Sequence, residues 1–177
     1  AWEARKKDIS DRVLLGCGLL PLPEKTPLNA KRFGKLEQDG FAVEKVYFES
    51  FPGHYVTASL YTPTGDSLKN GLKNGKRPGV LCPHGHWKEG RFYDIDEPAV
   101  NRLLADGSER FANSARNPIQ ARCVHLARMG CVVLQYDMLG NADSKQFEEH
   151  RRGPRDEMNS DKDGEWGFVS PQATLRL

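Results

Sequence analysis

Two short apolar runs constrain this chain more than any other feature. Gly79-Val80-Leu81-Cys82 and Cys131-Val132-Val133-Leu134-Gln135-Tyr136 carry almost no polar alternation. Runs of that length suit strands covered on both faces, as in a parallel sheet. Between them lies the strongest helix pattern in the sequence. Asn117 is a favourable N-cap, Pro118 fits the first helical position, and Gly130 is a natural stop. Ile119, Cys123, Leu126 and Ala127 form one apolar stripe between those signals, with Arg122 and Arg128 outside it. Strand, crossover helix, strand is a βαβ unit, expected to be right-handed. The chain therefore reads as α/β.

The flanking sequence supplies more elements. Residues 41–50 are rich in β-formers, Pro52-Gly53 is a turn signal, and 55–62 alternate as a second strand, so 41–62 reads as an antiparallel hairpin. Residues 1–20 predict a helix with Trp2, Ile9 and Val13 on one side, and Pro21, Pro23 and Pro27 then impose an extended segment. The organisation expected is an N-terminal helix and Pro-rich segment over 1–40, followed by the α/β portion over 41–177. Residues 64–78 read as a surface loop, and 86–117 as a long excursion with a helix at 97–105. Residues 145–165 mix charges of both signs and read as a solvated loop or lid. Ser170-Pro171 opens a helix that has run only seven residues when the sequence stops at Leu177.

Composition excludes some functions. Lys+Arg is 26 against Asp+Glu 24, a net charge of +2, which argues against a dedicated nucleic-acid binder. No stretch approaches the roughly 18 apolar residues of a membrane span. The four cysteines are scattered without a Cys-x-x-Cys pair and read as buried free thiols, leaving the redox compartment open. The chain reads as soluble, either cytoplasmic or exported with its signal already removed.

Function in an open α/β sheet gathers where strands end. Cys82-Pro83-His84-Gly85-His86-Trp87 follows one apolar run, and Tyr136-Asp137-Met138-Leu139-Gly140-Asn141-Ala142-Asp143-Ser144 follows the other. Two adjacent strand ends with polar, Gly-containing turns make one crevice. The order of these features, an apolar strand into His84-Gly85, a helix, then a strand ending in Asp137, Gly140 and Ser144, resembles the first half of an α/β-hydrolase. Within that superfamily it most resembles the acetyl-xylan-esterase-like and dienelactone-hydrolase-like branches.

The resemblance spans about residues 40–177. It implies the N-terminal half of an α/β-hydrolase-like fold, an antiparallel hairpin leading into a mostly parallel sheet flanked by helices. It also implies ester hydrolysis by a Ser-His-acid triad, on a small-molecule or carbohydrate ester, with no organic cofactor or metal. The His86 backbone N–H is the implied oxyanion donor. His84, Gly85, Trp87, Asp137 and Gly140 support the site, Asp137 as a strand-end residue and not as the triad acid. The family's nucleophile elbow, Gly-x-Ser-x-Gly on a strand-to-helix turn, does not occur in this sequence. The resemblance therefore puts all three triad members downstream of residue 177, and 177 residues then read as a long first half.

Other readings remain open at this point. Cys82, His84 and His86 are spaced by two and would share one face of a regular strand as zinc ligands, although Pro83 and Gly85 interrupt that geometry. Cys82 beside His84 is a thiol near a base, but the preceding apolar run implies burial and an unactivated sulfur. A non-enzymatic reading makes the chain an inactive half-domain or packing segment.

Overall fold

The computed structural model describes residues 1–85, 87 and 89–146. His86, the Ser170 helix start and nearly all of the charged 145–165 stretch lie outside the described residues. Helices α1 (Trp2–Gly16), α2 (Glu97–Ala105), α3 (Ala112–Arg116) and α4 (Pro118–Arg128) accompany strands β1 (Lys31–Gln38), β2 (Phe41–Phe51), β3 (His54–Pro63), β4 (Gly79–Leu81) and β5 (Val132–Tyr136). The strands form one mixed sheet in the order β1-β2-β3-β5-β4.

The β2–β3 hairpin closes through Phe51↔His54, leaving Pro52-Gly53 as the turn. Gly53 takes φ +81, a conformation that glycine adopts without steric cost. β3 pairs antiparallel with β5, from Ala58↔Tyr136 to Tyr61↔Val133. β4 pairs parallel with β5, from Gly79↔Val132 to Leu81↔Leu134, and Cys82 N–H extends that ladder to Leu134 O at 2.9 Å. A parallel pair needs a crossover of a dozen or more residues, and α4 lies within it.

α4 covers the sheet with the stripe its sequence offers. Ile119, Cys123 and Ala127 are buried on it, and Cys123 and Ala127 share a core with Tyr61, Cys82 and Val133. Asn117 occupies the N-cap position without a side-chain capping bond. Asp96 does cap α2, accepting from Ala99 N–H at 2.8 Å. At the α4 stop, Gly130 has φ +96, and a Cβ there would lie 2.2 Å from Asn70 O. The 64–78 loop thus closes onto the start of β5, and Arg77 Nη1 donates to both Asn70 O (2.6 Å) and Gly130 O (3.3 Å).

Three features differ from the sequence reading. Sheet pairing starts at Lys31 and not at Phe41, because β1 adds a fully exposed outer strand to β2. β4 is an edge of the described sheet, so Gly79 and Leu81 are exposed, which departs from the both-faces-covered pattern of the apolar run and agrees with the exposed edge that the family strand order implies when the fifth strand is absent. The apolar side of α1 is not buried: none of its residues is buried, and Trp2, Ile9 and Val13 are all exposed.

Candidate active-site wall

β4 and β5 run parallel and side by side, so their C-terminal ends deliver two chain segments to one edge of the sheet. Residues after Cys82 leave β4, and residues after Tyr136 leave β5. The β5 exit closes on itself first. Gly140 N–H donates to Ser144 O (2.7 Å), Ser144 N–H to Asn141 O (2.8 Å) and Asn141 N–H to Met138 O (3.0 Å). Gly140 has φ +76 and Ala142 φ +45. The second is unusual for a residue with a Cβ and marks a strained turn.

Asp137 begins this turn and is buried. Its Oδ2 accepts from Thr57 Oγ1 of β3 at 2.5 Å and from Asp143 N–H at 3.3 Å. The carboxylate therefore fixes the turn to the sheet and to its own far end. It is also ion-paired with Arg91.

The β4 exit is held from three directions. Arg122 of α4 donates to Pro83 O at 3.1 Å. His84 is buried, and its Nε2 accepts from Met138 N–H at 3.0 Å. A backbone N–H can only donate, so in the neutral ring the proton sits on Nδ1, which faces Gly85 O at 2.6 Å. The imidazole thus bridges the two strand exits. Trp87 stacks on Tyr93, with ring centroids 4.9 Å apart and planes at 22°. Its ring lies over Gly85, where a Cβ would meet it at 2.8 Å.

The third hold is Arg91, from a single 3-10 turn at Gly90–Phe92. Its side chain is 1% exposed. Nη1 faces Asp137, Nη2 donates to Asp143 Oδ2 at 2.6 Å, and Nε donates to Ser59 Oγ at 3.1 Å. Its carbonyl accepts from the buried Gln135 Nε2 at 3.4 Å. Burial pulls the guanidinium below its ordinary pKa, and the bond to Asp143 opposes that shift. The turn is entered through Glu89 at φ +58 and Gly90 at φ +51.

The sequence-derived site residues divide accordingly. His84, Gly85, Asp137 and Gly140 come together where β4 and β5 end. Trp87 caps Gly85 at the surface, and His86 is outside the described residues. Sequence reasoning missed Arg91, Thr57 and Ser59, and named Asp143 only as part of the turn after Tyr136. Only the turn residues around Gly90 hinted at a special backbone there, because Asp143 lies 52 residues from Arg91.

The thiol and metal alternatives meet specific obstacles. Cys82 is packed in the core cluster beside Cys123. Burial, together with Cys82, pushes the Cys123 thiol up to about 12. His84 has both ring nitrogens engaged by backbone groups. Among the described residues no group of three or more His, Cys, Asp or Glu is placed to hold a metal ion.

No family model matches the chain, and no curated protein matches it. Solved structures do. The chain is similar to Methylesterase BT1017, with 28% identity over 75% of this chain and a TM-score of 0.47. It is similar to an acetyl xylan esterase from Paenibacillus sp. R4, with 19% identity over 66% of this chain and a TM-score of 0.37. A Bacteroides fragilis protein described as an acetyl xylan esterase matches 90% of this chain at 11% identity, with a TM-score of 0.45. The chain spans 23%, 28% and 38% of those three chains respectively. All three TM-scores lie below 0.5, so the α/β architecture is read from the sheet order and the β4–α4–β5 crossover. Among the described residues no helix is long and apolar enough to cross a membrane.

Proposed function

We propose that this chain forms one wall of the active site of a serine carboxylic-ester hydrolase, acting on acetyl esters of small molecules or carbohydrates. The observation that carries the reading is the joining of two parallel strand exits into one braced polar edge, through His84 to Met138 N–H and through Arg91 to Asp137 and Asp143. Ester hydrolysis passes through a tetrahedral intermediate whose oxyanion is stabilised by N–H donors already in place. A braced loop leaving a strand end is the kind of backbone that presents such donors without reorganising. The donor proposed here is the His86 backbone N–H. Gly85 lets the chain pass close to a bound ester, and Trp87, stacked on Tyr93, lines the substrate pocket in this reading.

Arg91 is not itself the oxyanion partner, because Asp137 and Asp143 already neutralise it. His84 is not the general base in this reading, because its ring nitrogens are committed to backbone. The nucleophilic serine, its histidine and the orienting acid are assigned to sequence downstream of residue 177. The test is turnover of 4-nitrophenyl acetate by the full encoded protein and by the 177-residue chain alone. The reading expects turnover from the first only. Turnover by the 177-residue chain that is lost on His84→Ala or Cys82→Ala contradicts it, and inactivity of the full protein on acetyl esters favours a packing role.

A further inference from the structure

We propose that Arg91 is a positioning residue that sets the rate of this hydrolysis by locking the β4 exit onto the β5 exit turn. The proposal rests on the esterase reading above and adds to it a residue that contacts no reacting atom. Four observations converge on it. The guanidinium is almost fully buried and spends three nitrogens on three different elements: Ser59 in β3, Asp137 at the end of β5, and Asp143 within the turn. The Arg91 carbonyl adds a fourth tie, to Gln135 of β5. A buried ion pair is a poor source of net stability compared with apolar packing of the same volume, so we read this one as fixing geometry.

Backbone strain sits at both ends of the tie. Glu89 (φ +58) is two residues before Arg91, and Ala142 (φ +45) immediately precedes Asp143. Side-chain-bearing residues hold such angles only where their surroundings impose them. Gly90, between Glu89 and Arg91, sits so close to the His84 ring that a Cβ would lie 2.9 Å from Cε1 and Nε2. Docking Arg91 therefore presses Gly90 against His84, whose Nε2 receives Met138 N–H. The two ties act as one clamp on the segment that begins at Gly85.

Loosening such a clamp displaces donors without removing them, so the loss falls on kcat and not on ground-state binding. The test uses the full encoded protein with 4-nitrophenyl acetate as probe. Arg91→Lys keeps the charge and loses the planar fork, and Asp143→Asn keeps the shape and loses one ionic contact. We expect kcat to fall about tenfold in Arg91→Lys and about threefold in Asp143→Asn, with KM within about twofold of wild type. Arg91→Met is expected to lose about a hundredfold in kcat, and the two milder variants carry the test if it does not fold.

Hydrogen–deuterium exchange supplies a readout independent of turnover. Peptides covering 82–93 and 137–144 should exchange faster in the variants, while the 41–62 hairpin keeps wild-type protection. Unchanged kcat with unchanged exchange overturns the proposal. So does a loss of activity accompanied by faster exchange in the hairpin, which marks general destabilisation. A wild-type protein without ester turnover refutes the esterase reading instead. The exchange arm then still decides the clamp: local loosening supports it, and none overturns it.

Discussion

Replacing Gly90 by alanine tests how tightly the two strand exits are packed together. Gly90 has φ +51, and an added Cβ would meet His84 Cε1 and Nε2 at 2.9 Å and Asn141 Cβ at 3.2 Å. Two costs follow. Holding alanine in the left-handed region costs roughly 1–2 kcal/mol. Pushing the imidazole away strips the acceptor from the part-buried Met138 N–H, and since a fully buried donor left unpaired costs roughly 1–3 kcal/mol, partial access to water puts this loss near the lower end, about 1 kcal/mol. Gly75→Ala isolates the first cost, because Gly75 has φ +72 and nothing within 4 Å of the added Cβ. Any gain from restricting the unfolded chain is common to both variants and cancels in the comparison. In matched urea titrations, Gly90→Ala should be less stable than Gly75→Ala by about 1 kcal/mol. The Met138 amide should also lose exchange protection only in Gly90→Ala. Equal destabilisation of the two variants would refute the packing of Gly90 against His84.

Three further outcomes follow from the core and the thiols. Val133 is fully buried between Tyr61 and α4, so Val133→Ala should cost roughly 2 kcal/mol in urea unfolding, and a loss indistinguishable from zero would contradict the core assignment. With the Cys123 thiol pushed up to about 12 and Cys82 buried beside it, iodoacetamide at pH 8 should alkylate exposed Cys17 and spare both buried thiols until denaturant is added. The raised thiol also makes folding pH-dependent. The unfolded chain releases that proton near pH 8.5, while the folded chain keeps it, so the unfolded state binds fewer protons above that pH. Stability should therefore be intact below about pH 8 and fall steadily from about pH 9 towards 12, and urea midpoints flat across that window would contradict the burial of Cys123.

What was legible in the sequence is what local pattern encodes. The 41–62 hairpin announced itself by β-formers on either side of Pro52-Gly53, and α4 by Pro118, its apolar stripe and Gly130. The two apolar runs gave β4 and β5 almost to the residue. β1 was not legible, because Lys31–Gln38 is exposed throughout and its two apolar residues, Phe33 and Leu36, break strict alternation, with a register shift between them. The exposure of Leu81 does not follow from the apolar run, which states what a strand prefers to bury; it follows from the family strand order, in which Gly79–Cys82 becomes an exposed edge when no fifth strand covers it. His84, Gly85 and Asp137 stood out because turn residues directly follow strands. Arg91 did not, because a buried arginine is recognisable only by its partners. Ser59 and Asp143 reach it from 32 and 52 residues away along the chain.

The central claim is that residues 1–177 build a wall of an esterase site and do not hold its nucleophile. Covalent labelling of the full encoded protein with a fluorophosphonate, followed by peptide mass spectrometry, tests it most directly. The account predicts one stoichiometrically modified serine at a position beyond residue 177, with loss of 4-nitrophenyl acetate turnover in proportion to labelling. Modification of a serine within residues 1–177, or full turnover in the presence of excess fluorophosphonate, would contradict it.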